Sequence, residues 1–101
     1  MNVTTFSEGN GKSIVTNYDE GNFRLQVKTV WCGYASSRQY RSSLYEFRTE
    51  TNAEGYTYEY PLNYGKGIEL VTPAPRRNQN KMEAHHAQAV ELAQQMIKEV
   101  A

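Results

Sequence analysis

Residues 23–34 read Phe-Arg-Leu-Gln-Val-Lys-Thr-Val-Trp-Cys-Gly-Tyr, and this stretch indicates the fold class. Successive side chains of a strand point to opposite faces, so a strand with one buried face alternates apolar and polar residues. Here two groups of positions alternate. The mostly apolar group is Phe23, Leu25, Val27, Thr29 and Trp31, and the polar group is Arg24, Gln26 and Lys28. The pattern predicts a strand over residues 23–34 in a sheet that buries one face.

The C-terminal segment predicts the element that covers that face. Its apolar residues recur at steps of three and four, which is typical of an amphipathic helix. The stripe comprises Met82, His86, Ala89, Val90, Ala93, Met96, Ile97 and Val100. Asn80, with Glu83 three residues later, resembles a capping box and predicts a helix over residues 80–100.

Further strands are predicted before residue 23 and between these two segments. Alternation and turn residues place them at 13–18, 40–51, 56–62 and 68–72, with turns at 19–22, 52–55 and 63–67. Residues 1–12 are expected to form an irregular arm or an edge strand, and residues 73–79, with Pro73 and Pro75, a linker. The prediction is one α+β domain over residues 1–101: an antiparallel meander of four or five strands on one C-terminal helix.

Composition and charge argue against non-specific nucleic-acid binding and against a membrane span. Eleven basic and eleven acidic residues give a formal net charge of zero. Proteins that bind DNA or RNA non-specifically usually carry a basic excess, because phosphate neutralisation supplies most of their affinity. A single cysteine fits the reducing cytoplasm, and no apolar run approaches the ~18 residues of a membrane span. Low net charge is also compatible with a homodimer.

The most informative stretch for function is residues 56–64, Tyr-Thr-Tyr-Glu-Tyr-Pro-Leu-Asn-Tyr. On a strand, Tyr56, Tyr58 and Tyr60 share one face. If that face points away from the helix, the rings form an exposed strip of the kind that binds macromolecules. Alternatively, the rings pack under the helix or against Trp31. The binding residues predicted from the exposed alternative are Tyr56, Tyr58, Tyr60 and Tyr64, with Arg41 and Arg48 as polar partners.

No residue pattern predicts catalysis or a cofactor. Adjacent helical residues such as His85 and His86 diverge by ~100° and do not readily share a metal ion. His86 lies on the apolar stripe and is interpreted as a packed, hydrogen-bonded histidine. Cys32 lies in a strand pattern, where a buried inert thiol is expected. We therefore expect a protein that is not an enzyme and has no cofactor or metal.

A nucleic-acid-binding alternative comes from the basic residues. Arg76 and Arg77 precede the helix, and Lys81 follows its start. Basic residues among tyrosines are typical of platforms for single-stranded nucleic acids. The helix entry Lys-Met-Glu-Ala at 81–84, followed by Ala87, Ala89 and Ala93, also resembles the last helix of double-stranded RNA-binding domains. That family has an N-terminal helix and a lysine-rich entry to this helix, where this chain has a strand-like segment and Arg-Arg-Asn-Gln-Asn at 76–80.

A second resemblance is one of type. A short, tyrosine-rich chain with one cysteine, a sheet, a lone helix and no catalytic signature resembles small phage-encoded accessory proteins, including anti-CRISPR inhibitors. The resemblance implies a non-enzymatic inhibitor in the host cytoplasm that sterically blocks a protein target such as a bacterial defence ribonucleoprotein. Many such inhibitors are acidic mimics of nucleic acid; this chain is neutral, which favours occlusion of a surface.

Overall fold

A computed structural model describes residues 2–63 and 69–100, and it describes the side chains in these ranges except those of residues 62, 63, 69 and 96–100. Six strands, a short 3-10 helix and one α-helix make up this part of the chain. Their bounds are β1 Asn2–Glu8, β2 Ser13–Glu20, β3 Phe23–Cys32, the 3-10 helix Ala35–Ser37, β4 Gln39–Thr51, β5 Thr57–Asn63, β6 Glu69–Pro73 and α1 Gln79–Val100.

The strands form one antiparallel sheet in which β1 to β5 follow chain order. The α+β class and the meander of these five strands are thus as predicted. The last strand departs from the meander, because β6 pairs with residues 39–43 of β4 and not with β5. β4 is 13 residues long, and β5 pairs only with its residues 46–51, so the first half of the same edge is left for β6. The turn predicted at 63–67 lies, apart from residue 63, outside the described residues.

Helix α1 packs on β2, β3 and β4 and defines what we call the helix face of the sheet. The predicted alternation of β3 is confirmed, since Leu25, Val27 and Thr29 are buried on this face. Two apolar clusters lie between helix and sheet. One contains Tyr18, Leu25, Val27, Leu44, Ala89 and Ala93; the other contains Ile14, Tyr40, Ala74 and Met82.

At the N-terminus, the edge-strand alternative is correct for residues 2–8. β1 pairs with β2 along its whole length, and its outer edge is exposed. The chain then reverses at Gly9, Asn10 and Gly11, whose φ angles of 60°, 58° and 81° are left-handed. Glycine adopts such angles without steric cost, and asparagine tolerates them better than most residues, which explains the turn.

The helix begins earlier than the asparagine pattern predicts. α1 starts at Gln79, and the side chain of Asn78, not that of Asn80, accepts a hydrogen bond from the Lys81 amide at 3.1 Å. The buried Tyr40 hydroxyl accepts from the Asn78 amide at 2.7 Å and donates to the Asn78 carbonyl at 3.1 Å. The capping box assigned to Asn80 is therefore wrong, because a tertiary contact fixes the helix start two residues earlier.

This assignment predicts unequal effects of two similar substitutions. Asn78→Ala removes the capping oxygen and should lower the free energy of unfolding by about 1 kcal/mol. Asn80→Ala, at an exposed position inside the first turn, should change it by less than ~0.5 kcal/mol. Urea denaturation of the two variants checks the difference. A larger loss for Asn80→Ala would contradict the observed cap.

Candidate functional site

Strand register places the tyrosines of β5 on the helix face. Tyr58 pairs with Glu50 and Tyr60 with Arg48, and Arg48 in turn pairs with Phe23 of β3. Directly paired residues share a face, so these tyrosines lie on the side that carries the helix. The condition that they point away from the helix is therefore not met.

The rings are nevertheless accessible, because the far halves of β4 and β5 form a two-stranded extension. We call residues 48–60 the tyrosine arm. Tyr56 is 70% exposed and Tyr58 is 47% exposed, while Tyr60 is half-buried. The Tyr58 and Tyr60 ring centroids are 5.9 Å apart with a tilted geometry, which forms a continuous aromatic surface.

The turn at the tip of the arm is held by Asn52. Its side-chain oxygen accepts hydrogen bonds from the amides of Glu54 and Tyr56, each at 3.0 Å. Its backbone amide donates to the Tyr56 carbonyl at 2.9 Å, and Gly55 supplies the left-handed φ of 89° that the reversal requires. Tyr56 is thus presented by an ordered turn, which reduces the entropy lost on binding.

Glu50 organises the rings next to the turn. It accepts a hydrogen bond from the Tyr60 hydroxyl at 2.8 Å and a longer one from Tyr58 at 3.5 Å. The hydrogen bond to Glu50 raises the pKa of Tyr60, so this phenol stays protonated. On the other face, Arg24 contacts Glu59 at 3.4 Å and joins the arm to β3.

The structure brings together only part of the predicted binding set. Arg48 lies beside Tyr60 on the helix face. Arg41 pairs with Val30 and lies on the opposite face, seven residues or roughly 23 Å along β4 from Arg48. Arg41 is thus not part of the tyrosine surface, because an odd separation along a strand reverses the face. Tyr64 lies outside the described residues.

The predicted alternative of packing against Trp31 does not occur for Tyr56, Tyr58 or Tyr60. The Trp31 indole donates to the carbonyl of Ala74 at 2.9 Å, near the start of β4. The guanidinium of Arg38 lies 4.8 Å from its ring centroid. Trp31 therefore belongs to the end of the sheet opposite the arm.

A buried row of hydroxyls and imidazoles separates the two apolar clusters. We call it the polar band; it comprises Thr16, Thr29, Ser42, His85 and His86. The His86 ring nitrogens lie 2.7 Å from the hydroxyls of Thr16 and Thr29. The Ser42 hydroxyl lies 2.6 Å from that of Thr29 and 2.9 Å from Nδ1 of His85. The interpretation of His86 as a packed, hydrogen-bonded histidine is confirmed.

Sequence reasoning missed the burial of His85. Its neighbour His86 lies on the apolar stripe, but His85 is also only 6% exposed. Burial lowers the pKa of His85; burial, with a smaller contribution from neighbouring His85, lowers the pKa of His86 to about 4. The sequence does contain a signal for a buried polar cluster. Thr16, Thr29 and Ser42 are polar residues at core-facing positions of three strands, where they can pair with buried histidines.

The polar band does not provide an accessible catalytic serine. Ser42 and His85 have the spacing of a nucleophile and a base, but Ser42 has no exposed surface. Cys32 is only half-buried, yet register places it on the face opposite the histidines.

No cluster of metal ligands occurs among the described residues. No helix in the described ranges has the length and apolar content needed to cross a membrane.

A basic pocket of about 780 Å³ adjoins the polar band at the start of α1. Arg76, Arg77 and Lys81 line it, together with His85 and the prolines that flank Ala74, and no described residue of the lining carries a carboxylate. Arg77 donates hydrogen bonds to the Gly11 carbonyl at 3.2 Å and to Gln79 at 3.0 Å. The pocket is therefore a concave, positively charged site at one end of the molecule.

Comparisons of the chain with protein-family models, curated proteins and solved structures find no match.

Proposed function

We propose that this protein is a non-enzymatic protein-binding domain whose contact surface is the tyrosine arm. The observation that carries the proposal is the exposure of Tyr56 and Tyr58 on an ordered two-stranded extension. Tyrosine provides a large contact area at low cost in conformational entropy, and aromatic residues often dominate the energy of protein interfaces.

The charge of the arm favours a protein partner over a nucleic acid. Arg48 contributes one positive charge, and Glu50, Glu54 and Glu59 contribute three negative ones, for a formal charge of −2. Arg24 compensates Glu59, which leaves an arm that has no positive excess to attract phosphates. The complementary partner has a groove that accepts aromatic rings and a rim of cations or hydrogen-bond donors facing Glu50 and Glu54.

Occupation of such a groove would block it sterically. Small phage-encoded inhibitors of the anti-CRISPR type act in this way, and the chain resembles them in type. Basic grooves are common on proteins that handle nucleic acids, so we propose a bacterial defence ribonucleoprotein as the partner class and the host cytoplasm as the compartment.

An affinity-capture experiment tests this proposal. The wild-type protein and two variants, Tyr58→Ala and Tyr34→Ala, are used as bait in bacterial lysate, with and without nuclease. Tyr34 is the matched control because it is 86% exposed and lies in the loop before β4, far from the arm. We expect one protein that wild type and Tyr34→Ala retain after nuclease treatment and that Tyr58→Ala loses.

Two results would oppose the proposal. Equal retention of that protein by Tyr58→Ala would remove the arm from the interface. Loss of all captured material after nuclease treatment, with a steep fall as salt rises, would favour the alternative of a nucleic-acid-binding domain that uses the sheet and the basic residues Arg76 and Arg77.

A further inference from the structure

The basic pocket is a second surface, separate from the tyrosine arm. Tyr40, which lines the pocket, precedes Arg48 of the arm by eight residues on β4, or roughly 26 Å. The two surfaces are therefore at different ends of the protein, and occupation of one leaves the other accessible.

The pocket cations Arg76, Arg77 and Lys81 form no ion pair with the described side chains. Arg24 pairs with Asp19 and Glu59, at a distance from the pocket along the sheet. Arg76 and Lys81 are exposed and line the pocket, and the start of α1 adds the positive end of the helix dipole. This arrangement attracts an anion.

One ring nitrogen of His85 is available to a ligand in this pocket. Its Nδ1 faces Ser42 on the sheet, whereas Nε2 is buried and has no hydrogen-bond partner among the described residues. His85 is one of the residues that line the pocket, and its Nδ1 is turned towards Ser42 on the sheet, so we infer that Nε2 faces the pocket floor. A buried polar group without a partner is costly, and a ligand atom in the pocket would satisfy it.

The polar band determines what Nε2 can offer to a ligand. Ser42 and Thr29 each have one hydroxyl hydrogen. When both hydroxyls donate within the chain of hydrogen bonds that links His85 Nδ1, Ser42, Thr29 and His86 Nδ1, the chain runs in one of two directions. In one direction His86 donates to Thr29, Thr29 to Ser42 and Ser42 to His85 Nδ1. Neutral His85 then carries its hydrogen on Nε2 and is a donor to the pocket. In the reverse direction, Nε2 is an acceptor.

We propose that the basic pocket binds the phosphate group of a small molecule, with Arg76 and Lys81 supplying charge and His85 Nε2 donating a hydrogen bond from the floor. Bound phosphate favours the direction in which Nε2 carries the hydrogen, because the charged oxygens of phosphate are hydrogen-bond acceptors. The pocket volume exceeds that of phosphate alone and leaves room for an organic group beside Pro73 and Pro75.

Nuclear magnetic resonance titration tests this proposal with inorganic phosphate and phenyl phosphate as probes, against sodium chloride at matched ionic strength. We expect saturable shifts of the amides of residues 76–85. Lys81→Met and His85→Asn should each weaken binding at least fivefold. Asparagine places a polar atom near the position of the imidazole Nδ1 but lacks Nε2, and Lys81→Met changes an exposed residue if His85→Asn fails to fold.

Lys28→Met is the matched control, because register places Lys28 on the face opposite the helix. It should leave phosphate binding unchanged, as should Tyr58→Ala. Tighter binding of phenyl phosphate than of inorganic phosphate would assign the site to a phosphate ester. Equal binding of the two probes would assign the site to free phosphate. Three results would overturn the proposal: no saturation by either probe, equal weakening by Lys28→Met, or binding of a single-stranded oligonucleotide a hundredfold tighter than phenyl phosphate.

Discussion

Replacing His86 by alanine is expected to lower the free energy of unfolding by about 4 kcal/mol. The substitution removes two hydrogen bonds of 2.7 Å, each worth ~1 kcal/mol, and leaves a cavity beneath the helix. A domain of this size typically has ~5–15 kcal/mol of stability in total. The expected decrease in melting temperature is roughly 15–30 °C, measurable by circular dichroism.

The matched control is Glu91→Ala, at an exposed position on the same helix. It should change the free energy of unfolding by less than ~0.5 kcal/mol. A loss below ~1 kcal/mol for His86→Ala would contradict the view that the polar band holds the helix on the sheet.

Acidification is expected to lower stability by about 3 kcal/mol through His86 alone. Burial, with a smaller contribution from His85, lowers the pKa of His86 from 6.5 to about 4 in the folded protein. As pH falls below 6.5, the unfolded chain therefore takes up this proton before the folded one. Stability is fully present above pH 6.5 and decreases until about pH 4, at ~1.4 kcal/mol per pH unit.

Urea denaturation at pH 7, 5.5 and 4 measures this loss, and an imidazole titration by nuclear magnetic resonance identifies the group responsible. His85 should add to the loss, because burial lowers its pKa in the same direction. Replacement of His86 by glutamine, which does not titrate, should flatten the dependence. An imidazole pKa of 6 or higher for His86 in the folded protein would contradict the prediction.

The elements that the sequence predicted well are those with strong local periodicity. The alternation at residues 23–34 and the helical stripe after residue 80 both report which side of an element is buried. The partner of a strand is not encoded in this way. β6 pairs with β4 because β4 extends beyond β5, which depends on the lengths of strands distant in sequence.

The positions of the candidate site residues also depend on strand pairing, so periodicity predicts them only in part. The exposure of Tyr56 and Tyr58 agrees with the expected strip, but their face depends on pairing with Glu50 and Arg48, which periodicity does not specify. Sequence periodicity does not predict the basic pocket either. Arg76, Arg77 and Lys81 were visible as charges, whereas His85 joins them only because Tyr40 and Ser42 fix the position and rotation of the helix.

The central claim is that exposed tyrosines on the arm bind a protein. Calorimetric titration of the captured partner with the wild-type protein and with Tyr58→Ala tests this claim most directly. We expect affinity at least ~30-fold weaker for Tyr58→Ala, corresponding to ~2 kcal/mol, with a melting temperature within a few degrees of wild type. Equal affinities, or a variant that loses binding only because it unfolds, would contradict the claim and place Tyr58 among the residues that maintain the fold.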